Sequence, residues 1–149
     1  MNGRLTRAIL LVEDDDNDVV FMKRAMGKVG IEHLLRVTTN GQQAIDYFEG
    51  VGEFGDRARY PLPSVVLLDL RLPHVMGLDV LKWIRLRHVR TIVVIVISSS
   101  KHEKDVHSAY QAGANAYLVK PGDPRELEAL VDLINRFWLT ANQTSAAAS

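Results

Sequence analysis

Several polar residues in this sequence come directly after runs of apolar residues, a position from which side chains can do chemistry in a parallel sheet. They are Glu13 with Asp14, Asp69, Ser98 and Lys120. In open α/β sheets, ligands bind beyond the carboxyl ends of the strands. We therefore expect these side chains to surround one crevice, although they come from distant parts of the chain.

The residue types in this predicted crevice suit phosphoryl chemistry. Glu13, Asp14 and Asp69 would repel one another and so favour a bound cation. Magnesium suits such a site, because it binds one or two carboxylates together with phosphate oxygens and water. A carboxylate can also attack phosphorus to form an aspartyl phosphate. We interpret Asp69 as a phosphate acceptor, with Lys120 and Ser98 stabilising the transferred group.

Each of these residues also has a plainer explanation. The acidic run that starts at Glu13 could begin a helix, since carboxylates stabilise a helix N-terminus by about 0.3 to 1 kcal/mol each. Ser98 could cap a helix, and Lys120 could lie on the surface. A turn explains Asp69 less well, because a carboxylate after four buried aliphatic residues is costly to leave unpaired.

The hydrophobic pattern predicts the elements that position these residues. Apolar runs predict strands at residues 9–12, 34–37, 65–68, 92–97 and 117–119. Helical periodicity predicts helices at residues 18–26, 42–48, 78–86, 103–112 and 125–139. We expect Gly27 and Gly30 to end the first helix, and Asp123-Pro124 to begin the last. Buried strands alternating with helices indicate an α/β fold with a parallel sheet.

The 149 residues fit one domain. We predict an N-terminal extension at residues 1–7, the domain at 8–139, a surface loop at 50–63 and a disordered tail at 140–149. The absence of cysteine excludes disulfides and thiolate zinc sites. Eighteen basic residues balance eighteen acidic ones, so no global charge favours nucleic acid or membrane. With no signal sequence or apolar span, we expect a cytoplasmic protein.

Over residues 8–139 the chain resembles the receiver domains of two-component response regulators. The resemblance rests on Leu11-Val12-Glu13-Asp14, on Leu67-Leu68-Asp69-Leu70 with Pro73 and Gly77, on Val96-Ile97-Ser98-Ser99, and on the run from Gln111 to Pro121. It implies a flavodoxin-like, doubly wound, three-layer fold whose five parallel strands have the order 2-1-3-4-5. It also implies a phosphorylated switch protein rather than a dedicated enzyme.

The resemblance assigns the acceptor and metal roles residue by residue. Asp69 would take a phosphoryl group from the phosphohistidine of a sensor histidine kinase, and Lys120 would contact that group. Magnesium would be held by Glu13, Asp14, Asp69 and the backbone carbonyl of Arg71.

The resemblance also implies a switch. Ser98 would be the hydroxyl that moves to the phosphoryl group, and Tyr117 the aromatic residue that follows it. A cis bond between Lys120 and Pro121 is expected as well. Met76 stands where many receivers have aspartate, and Ser98 stands where threonine is commoner, but neither difference removes a needed group.

A narrower resemblance concerns the kinase. The loop at residues 50–63, the serine triplet at 98–100 and a last helix that ends in Phe137-Trp138 resemble the small regulators paired with phytochrome-type kinases. The alternatives are a chemotaxis-type or phosphorelay receiver for another kinase, and a scaffold that does not turn over. A phosphatase would need a second aspartate at position 71, which is Arg71.

The last helix also suggests a homodimer. Its predicted sheet-facing stripe contains Leu127, Leu130, Val131, Ile134 and Trp138, and two further residues widen the apolar surface, Leu133 and Phe137. An apolar helix surface that is wider than packing on the sheet requires favours contact with a second protein molecule. The alternative is that Phe137 and Trp138 fold back onto the domain.

Two further surfaces are candidates for partner binding. Val19 or Val20 on the first helix would meet the helical bundle of the kinase, although isolated surface valines are common. The basic residues Arg85, Arg87, His88 and Arg90 give only scattered support for nucleic-acid binding, because a basic helix C-terminus is favoured by the helix dipole. We expect no nucleic-acid or membrane partner.

Overall fold

The computed structural model describes residues 7–87 and 91–141. Five strands form one parallel sheet in the order β2-β1-β3-β4-β5. Their bounds are β1 Ile9–Val12, β2 Leu35–Thr38, β3 Val65–Leu68, β4 Val93–Ser98 and β5 Ala116–Val119. The predicted α/β fold and strand order are therefore confirmed. β1 and β3 match their predicted bounds, because each is a run of four aliphatic residues with polar residues soon beyond it.

Five α-helices cover the two faces of the sheet. They are α1 Asp16–Val29, α2 Gly41–Glu49, α3 Gly77–Arg87, α4 Glu103–Gln111 and α5 Pro124–Ile134. α1 and α5 pack on one face, against alternate residues of the central strands such as Leu11 and Leu67. α2 and α3 pack on the opposite face, against the intervening residues such as Leu10 and Val66. This alternation explains why the central strands are apolar throughout.

The helix boundaries show which local signals were correct. Asp15 accepts a hydrogen bond from the backbone N–H of Asp18 and caps α1. The helix therefore begins at Asp16, two residues before the predicted start. Gly30 ends α1 with a φ of 86°, but Gly27 lies inside the helix. Asp123 caps α5 as expected. A π-helical segment, Asn135–Ala141, directly follows α5. Thr140 and Ala141, which were predicted to belong to the tail, are therefore helical.

One expectation about the backbone is wrong. The described residues contain no cis peptide bond, so the bond between Lys120 and Pro121 is trans. The preference of an X–Pro bond for trans is small, so the proline permits a cis bond without requiring it. The predicted extension at 1–6 and the end of the chain at 142–149 lie outside the described residues. Within the described residues, no helix is long and apolar enough to cross a membrane.

The loop at residues 50–63 is more ordered than its composition indicates. It contains a short 3-10 helix, Gly52–Gly55. Tyr47 of α2 packs against the rings of Phe54 and Tyr60 and donates a hydrogen bond to the carbonyl of Pro61. Arg57 donates to the carbonyls of Tyr47 and Phe48. The loop is thus fixed to the α2 side of the domain, away from the carboxyl edge of the sheet.

Candidate functional site

Three predicted carboxylates meet at the carboxyl edge of the sheet. Val12 pairs with Leu68 in the register of β1 and β3, so the residues that follow them become neighbours. The backbone N–H of Asp69 also donates to the carbonyl of Val12, at 3.1 Å. As a result, carboxylate oxygens of Glu13, Asp14 and Asp69 lie within 4.8 Å of one another. Glu13 and Asp69 are buried, whereas Asp14 is exposed.

Lys120 reaches this cluster from β5. Its backbone N–H donates to the carbonyl of Ser98, at 2.8 Å, which aligns the lysine with the end of β4. Its Nζ lies 2.7 Å from Oε1 of Glu13 and 2.8 Å from Oδ2 of Asp69. A third bond, of 2.9 Å, joins Nζ to Oδ2 of Asp18. The alternative that Lys120 is an ordinary surface lysine is therefore wrong.

The charges around Lys120 change the acidity of the buried groups. Burial raises the pKa of Glu13 to about 7, with the charge of Asp69 adding to the effect and Lys120 opposing it. Burial alone would lower the pKa of Lys120, but its hydrogen bonds to Asp69, Glu13 and Asp18 outweigh burial and raise that pKa. Lys120 is thus a permanent positive charge beside the predicted acceptor.

Asp18 is the site residue that the sequence did not reveal. It was predicted only as the first residue of a helix, and it lies in the first turn of α1. The signal available was its position four residues beyond Asp14, close enough to reach the same edge of the sheet. Its partner Lys120 is 102 residues away, so no local pattern could identify the contact.

The β3–α3 connection holds the carboxylate of Asp69 in place. The backbone N–H of Arg71 donates to Oδ1 of Asp69, at 3.0 Å, so both oxygens of that carboxylate have partners. Arg71 itself is exposed and lines the acidic cleft. Gly77 donates its N–H to the carbonyl of Leu70 as α3 begins. The resemblance gave Arg71 a metal role through its backbone carbonyl, and the structure places this backbone beside the carboxylate cluster.

Ser98 and Tyr117, the predicted switch residues, both contact Ser100. Ser98 is buried at the end of β4, and its Oγ accepts a hydrogen bond from the N–H of Ser100. The hydroxyl of Tyr117 donates to the carbonyl of Ser100, at 2.9 Å. The Ser100 hydroxyl in turn donates to Asp105 of α4. The two predicted switch residues are therefore joined through one short segment of backbone, and Ser98 is not a helix cap.

The cleft offers the oxygen ligands that a hard divalent cation prefers. Its walls carry carboxylates from Glu13, Asp14 and Asp69, and all of these donors are oxygen atoms. The six carboxylates that line the cleft outnumber its two cationic side chains, Lys120 and Arg71, so a bound cation would offset uncompensated negative charge. Magnesium favours such oxygen ligands and keeps several waters, which suits an open cleft with an exposed member such as Asp14. The residues present therefore fit a magnesium ion.

An apolar cavity lies on the other side of Lys120. It has a volume of about 300 Å³ and is walled by α1 and the start of α5, including Phe21, Met22 and Leu127. Asp18 and Lys120 line both this cavity and the acidic cleft. Glu13 and Asp69 line both as well, so the two spaces meet at Lys120 and its three carboxylate partners.

The structure shows which residues are exposed on the two predicted partner surfaces, α1 and the last helix. On α1, Val19 packs against the core, whereas Val20 and Phe21 are exposed. On the last helix, the whole predicted stripe is buried or packs on the core, including Trp138. Phe137 remains 54% exposed, so only Trp138 folds back onto the domain.

Of the four basic residues named as weak support for nucleic-acid binding, the structure describes two, Arg85 and Arg87. The guanidinium of Arg85 donates to the carbonyls of Gly113 and Ile92 and to Oδ1 of Asn115, so it is engaged inside the fold. The guanidinium of Arg87 lies over the ring of Trp83. His88 and Arg90 lie outside the described residues.

Comparison with known proteins places these features in a family. The sequence model of the response regulator receiver domain matches residues 9–132. The chain is 37% identical to the probable methanogenesis regulatory protein FilR2 of Methanothrix harundinacea, over 94% of this chain and 88% of that protein. It is 32% identical to the response regulator Rcp1 of Synechocystis, over 95% of each chain.

Solved structures agree with the sequence relatives. The Mn²⁺-bound form of Rcp1 superposes with a TM-score of 0.81 at 31% identity, over 94% of this chain and 99% of Rcp1. The phosphorylated cyanobacterial phytochrome response regulator RcpA superposes with a TM-score of 0.83 at 30% identity, over 93% and 97% of the two chains.

Proposed function

Because this chain belongs to the response regulator receiver family, we propose that Asp69 accepts a phosphoryl group from the phosphohistidine of a sensor histidine kinase. The observation that supports this most directly is the position of Lys120, whose Nζ lies 2.8 Å from Oδ2 of Asp69 at the rim of an acidic cleft. A fixed ammonium beside a buried carboxylate is the arrangement that stabilises charge on a transferring phosphoryl group.

The reaction requires little from the protein beyond position and charge. A carboxylate oxygen of Asp69 attacks phosphorus, and the bond between phosphorus and the kinase imidazole nitrogen breaks. The electron pair stays on that nitrogen, and the imidazole leaves as the neutral base when its other nitrogen carries a proton. The ammonium of Lys120 donates to a phosphoryl oxygen, which opposes the negative charge that gathers there.

Magnesium is the cofactor that we infer for this site. Glu13, Asp14 and Asp69 would hold it through their carboxylates, together with the backbone carbonyl of Arg71. When bound, a divalent ion supplies positive charge that offsets the carboxylates and the phosphoryl oxygens. The relative Rcp1 has been solved with Mn²⁺ bound, which supports a divalent ion in this family.

The signal would leave the site through Ser98 and Tyr117. A phosphoryl oxygen near Asp69 offers the Ser98 hydroxyl a charged acceptor, which is stronger than a neutral one. Movement of Ser98 would change its bond to Ser100, whose carbonyl also accepts from Tyr117. The rotamer of Tyr117 would therefore respond to the state of Asp69.

The decisive experiment is incubation with acetyl phosphate, with and without magnesium, followed by measurement of the intact mass. We expect a gain of one phosphoryl group that requires magnesium and is lost in Asp69→Asn. The matched control is Asp79→Asn, which alters an exposed carboxylate of α3 and should leave the gain unchanged. An equal gain in Asp69→Asn would exclude Asp69 as the acceptor. No gain in the wild type under any condition, including with a cognate kinase, would leave the scaffold alternative.

We infer a phytochrome-type kinase as the partner, in the cytoplasm. Rcp1 and RcpA are response regulators of similar length, and RcpA is a phytochrome response regulator. FilR2 is a probable methanogenesis regulator, so a kinase of another type is the alternative. Phosphotransfer from a phytochrome-type kinase, measured against an unrelated kinase, tests the pairing. Equal transfer from both would contradict it.

A homodimer through the last helix is the second partner that we propose. Ala129, Leu133 and Phe137, here called the α5 patch, are exposed at intervals of four residues. Leu133 is 63% exposed and Phe137 is 54% exposed. Large apolar side chains with this exposure favour burial against a partner.

A further inference from the structure

The ammonium of Lys120 has no free hydrogen for a phosphoryl group. Its three N–H bonds are directed at three carboxylates, those of Glu13, Asp18 and Asp69, at 2.7, 2.9 and 2.8 Å. An ammonium has three donors and no more. If Lys120 is to donate to a phosphoryl oxygen, it must first release one of these carboxylates.

We propose that Asp18 is the carboxylate that Lys120 releases, and that Asp18 acts as a positioning residue for the lysine. This inference rests on the proposed phosphorylation of Asp69. Asp18 holds Lys120 in the unphosphorylated protein, and the incoming phosphoryl oxygen takes its place. The contact therefore competes with phosphorylation and helps to set its rate.

Burial distinguishes Asp18 from the other two partners. The side chain of Asp18 is 39% exposed, whereas those of Glu13 and Asp69 are 4% and 8% exposed. A released carboxylate must find other partners, and an exposed one is rehydrated by water at little cost. Release of Glu13, or of Asp69 while its carboxylate has not yet bonded to phosphorus, would leave a buried charge without its partner, which is far more costly.

The position of Asp18 also separates it from the metal cluster. The carboxylates that converge closely enough to hold a cation are Glu13, Asp14 and Asp69, and Asp18 is not among them. Asp18 is fixed by the start of α1, where its backbone N–H bonds to the cap residue Asp15. A change in the Asp18 side chain therefore acts first on Lys120, while the cap and the three metal-facing carboxylates remain.

The test is the rate of phosphorylation by acetyl phosphate in the presence of magnesium. In this reaction an oxygen of Asp69 forms a bond to phosphorus, the bond between phosphorus and the acetate oxygen breaks, and acetate leaves with the electron pair. We expect Asp18→Asn to be phosphorylated about two- to fivefold faster at subsaturating donor, as the loss of a partly exposed ion pair allows. The half-saturating donor concentration should fall.

Asp16→Asn is the matched control, because it removes one exposed carboxylate from the same turn of α1. Among the described contacts, Asp16 has no side-chain bond to Lys120. Asp16→Asn therefore measures the effect of removing one negative charge alone. We expect it to change the phosphorylation rate less than Asp18→Asn does.

A double-mutant cycle tests whether the effect passes through the lysine. In a Lys120→Met background, Asp18→Asn should no longer accelerate phosphorylation, since the competing contact is already absent. An acceleration equal to that of Asp16→Asn, or one that persists without Lys120, would overturn the inference. No phosphorylation of the wild type would instead overturn the proposed function, so the two failures are distinguishable.

Discussion

Gly77 lies against the backbone of Asp69, the proposed acceptor. A β-carbon at this position would come 2.2 Å from the carbonyl oxygen of Asp69 and 2.6 Å from Cα of Leu70. Both neighbours are backbone atoms, which cannot rotate away as a flexible side chain can. Only glycine fits without displacing the residue that we assign as the acceptor.

We therefore predict that Gly77→Ala destabilises the fold and slows phosphorylation. Overpacking of this kind costs roughly 1 to 3 kcal/mol. Urea unfolding would measure the free energy, and the acetyl phosphate reaction would measure the rate, which should fall because Asp69 is displaced. Gly122→Ala is the control: a β-carbon there meets no atom within 4 Å, so its stability should change by less than about 0.5 kcal/mol. Equal stability of the two variants would contradict the steric argument.

At the scale of single residues, the sequence identified the end-of-strand groups but not all their contacts. Glu13, Asp69 and Lys120 were predicted to meet because parallel strands bring their carboxyl ends to one edge. Asp18 was not predicted, because its role depends on where α1 starts and how that helix lies against β5. Those are tertiary features, and a local sequence pattern does not encode them.

At the scale of elements, α1 has a second apolar surface besides the one that packs on the sheet. Met22, Ala25 and Met26 are buried, and Val19 packs partly against them. Val20 is 44% exposed on the same helix, which begins beside the acidic cleft. Of the two candidates for kinase contact, Val19 packs on the core and Val20 is exposed. We therefore expect Val20 to contact the helical bundle of the kinase.

Val20→Lys should slow phosphotransfer from a phytochrome-type kinase by about tenfold, corresponding to ~1.4 kcal/mol of lost contact energy. Phosphorylation by acetyl phosphate should stay the same, because the small donor needs no docking surface. Val51→Lys changes a valine of similar exposure in the loop after α2, and it should leave both rates unaltered. Phosphotransfer at the wild-type rate in Val20→Lys would rule out this docking surface.

The elements differ in how well the sequence predicted them. β1 and β3 matched to the residue, since four consecutive aliphatic residues fit a strand buried on both faces. The loop at residues 50–63 was predicted only as surface, because its order comes from contacts with α2. Tyr47 and Arg57 supply those contacts, and neither forms a local turn pattern. The π-helical end of the last helix also gave no signal distinct from an α-helix.

At the scale of the whole molecule, the question is whether two copies associate. The α5 patch lies on the outer side of the layer formed by α1 and α5. We expect sedimentation equilibrium at micromolar concentrations to show a dimer of the wild-type chain. In the double variant Leu133→Ser, Phe137→Ser, the monomer–dimer equilibrium should shift toward the monomer, because the α5 patch loses its large apolar side chains.

The matched control for the dimer is Leu86→Ser, which removes a leucine that is 84% exposed on α3. This variant should keep the mass of the wild type. A monomeric wild type, both with and without beryllium fluoride as a phosphoryl mimic, would contradict the dimer. The parallel α/β architecture was predicted from the alternation of strands and helices, which permits few arrangements, and the strand order was implied by the family resemblance. Association depends on surface exposure, which the sequence shows only in part.

The bonds of Lys120 have a consequence for biosynthesis. They join residues separated by 51, 102 and 107 positions along the chain. A ribosome makes Asp69 well before Lys120, and contacts of such long range form only as the sheet closes. An incomplete chain therefore carries the acidic residues without their ammonium. With Asp69 as the proposed acceptor, only a finished and folded molecule would present the kinase with a complete site.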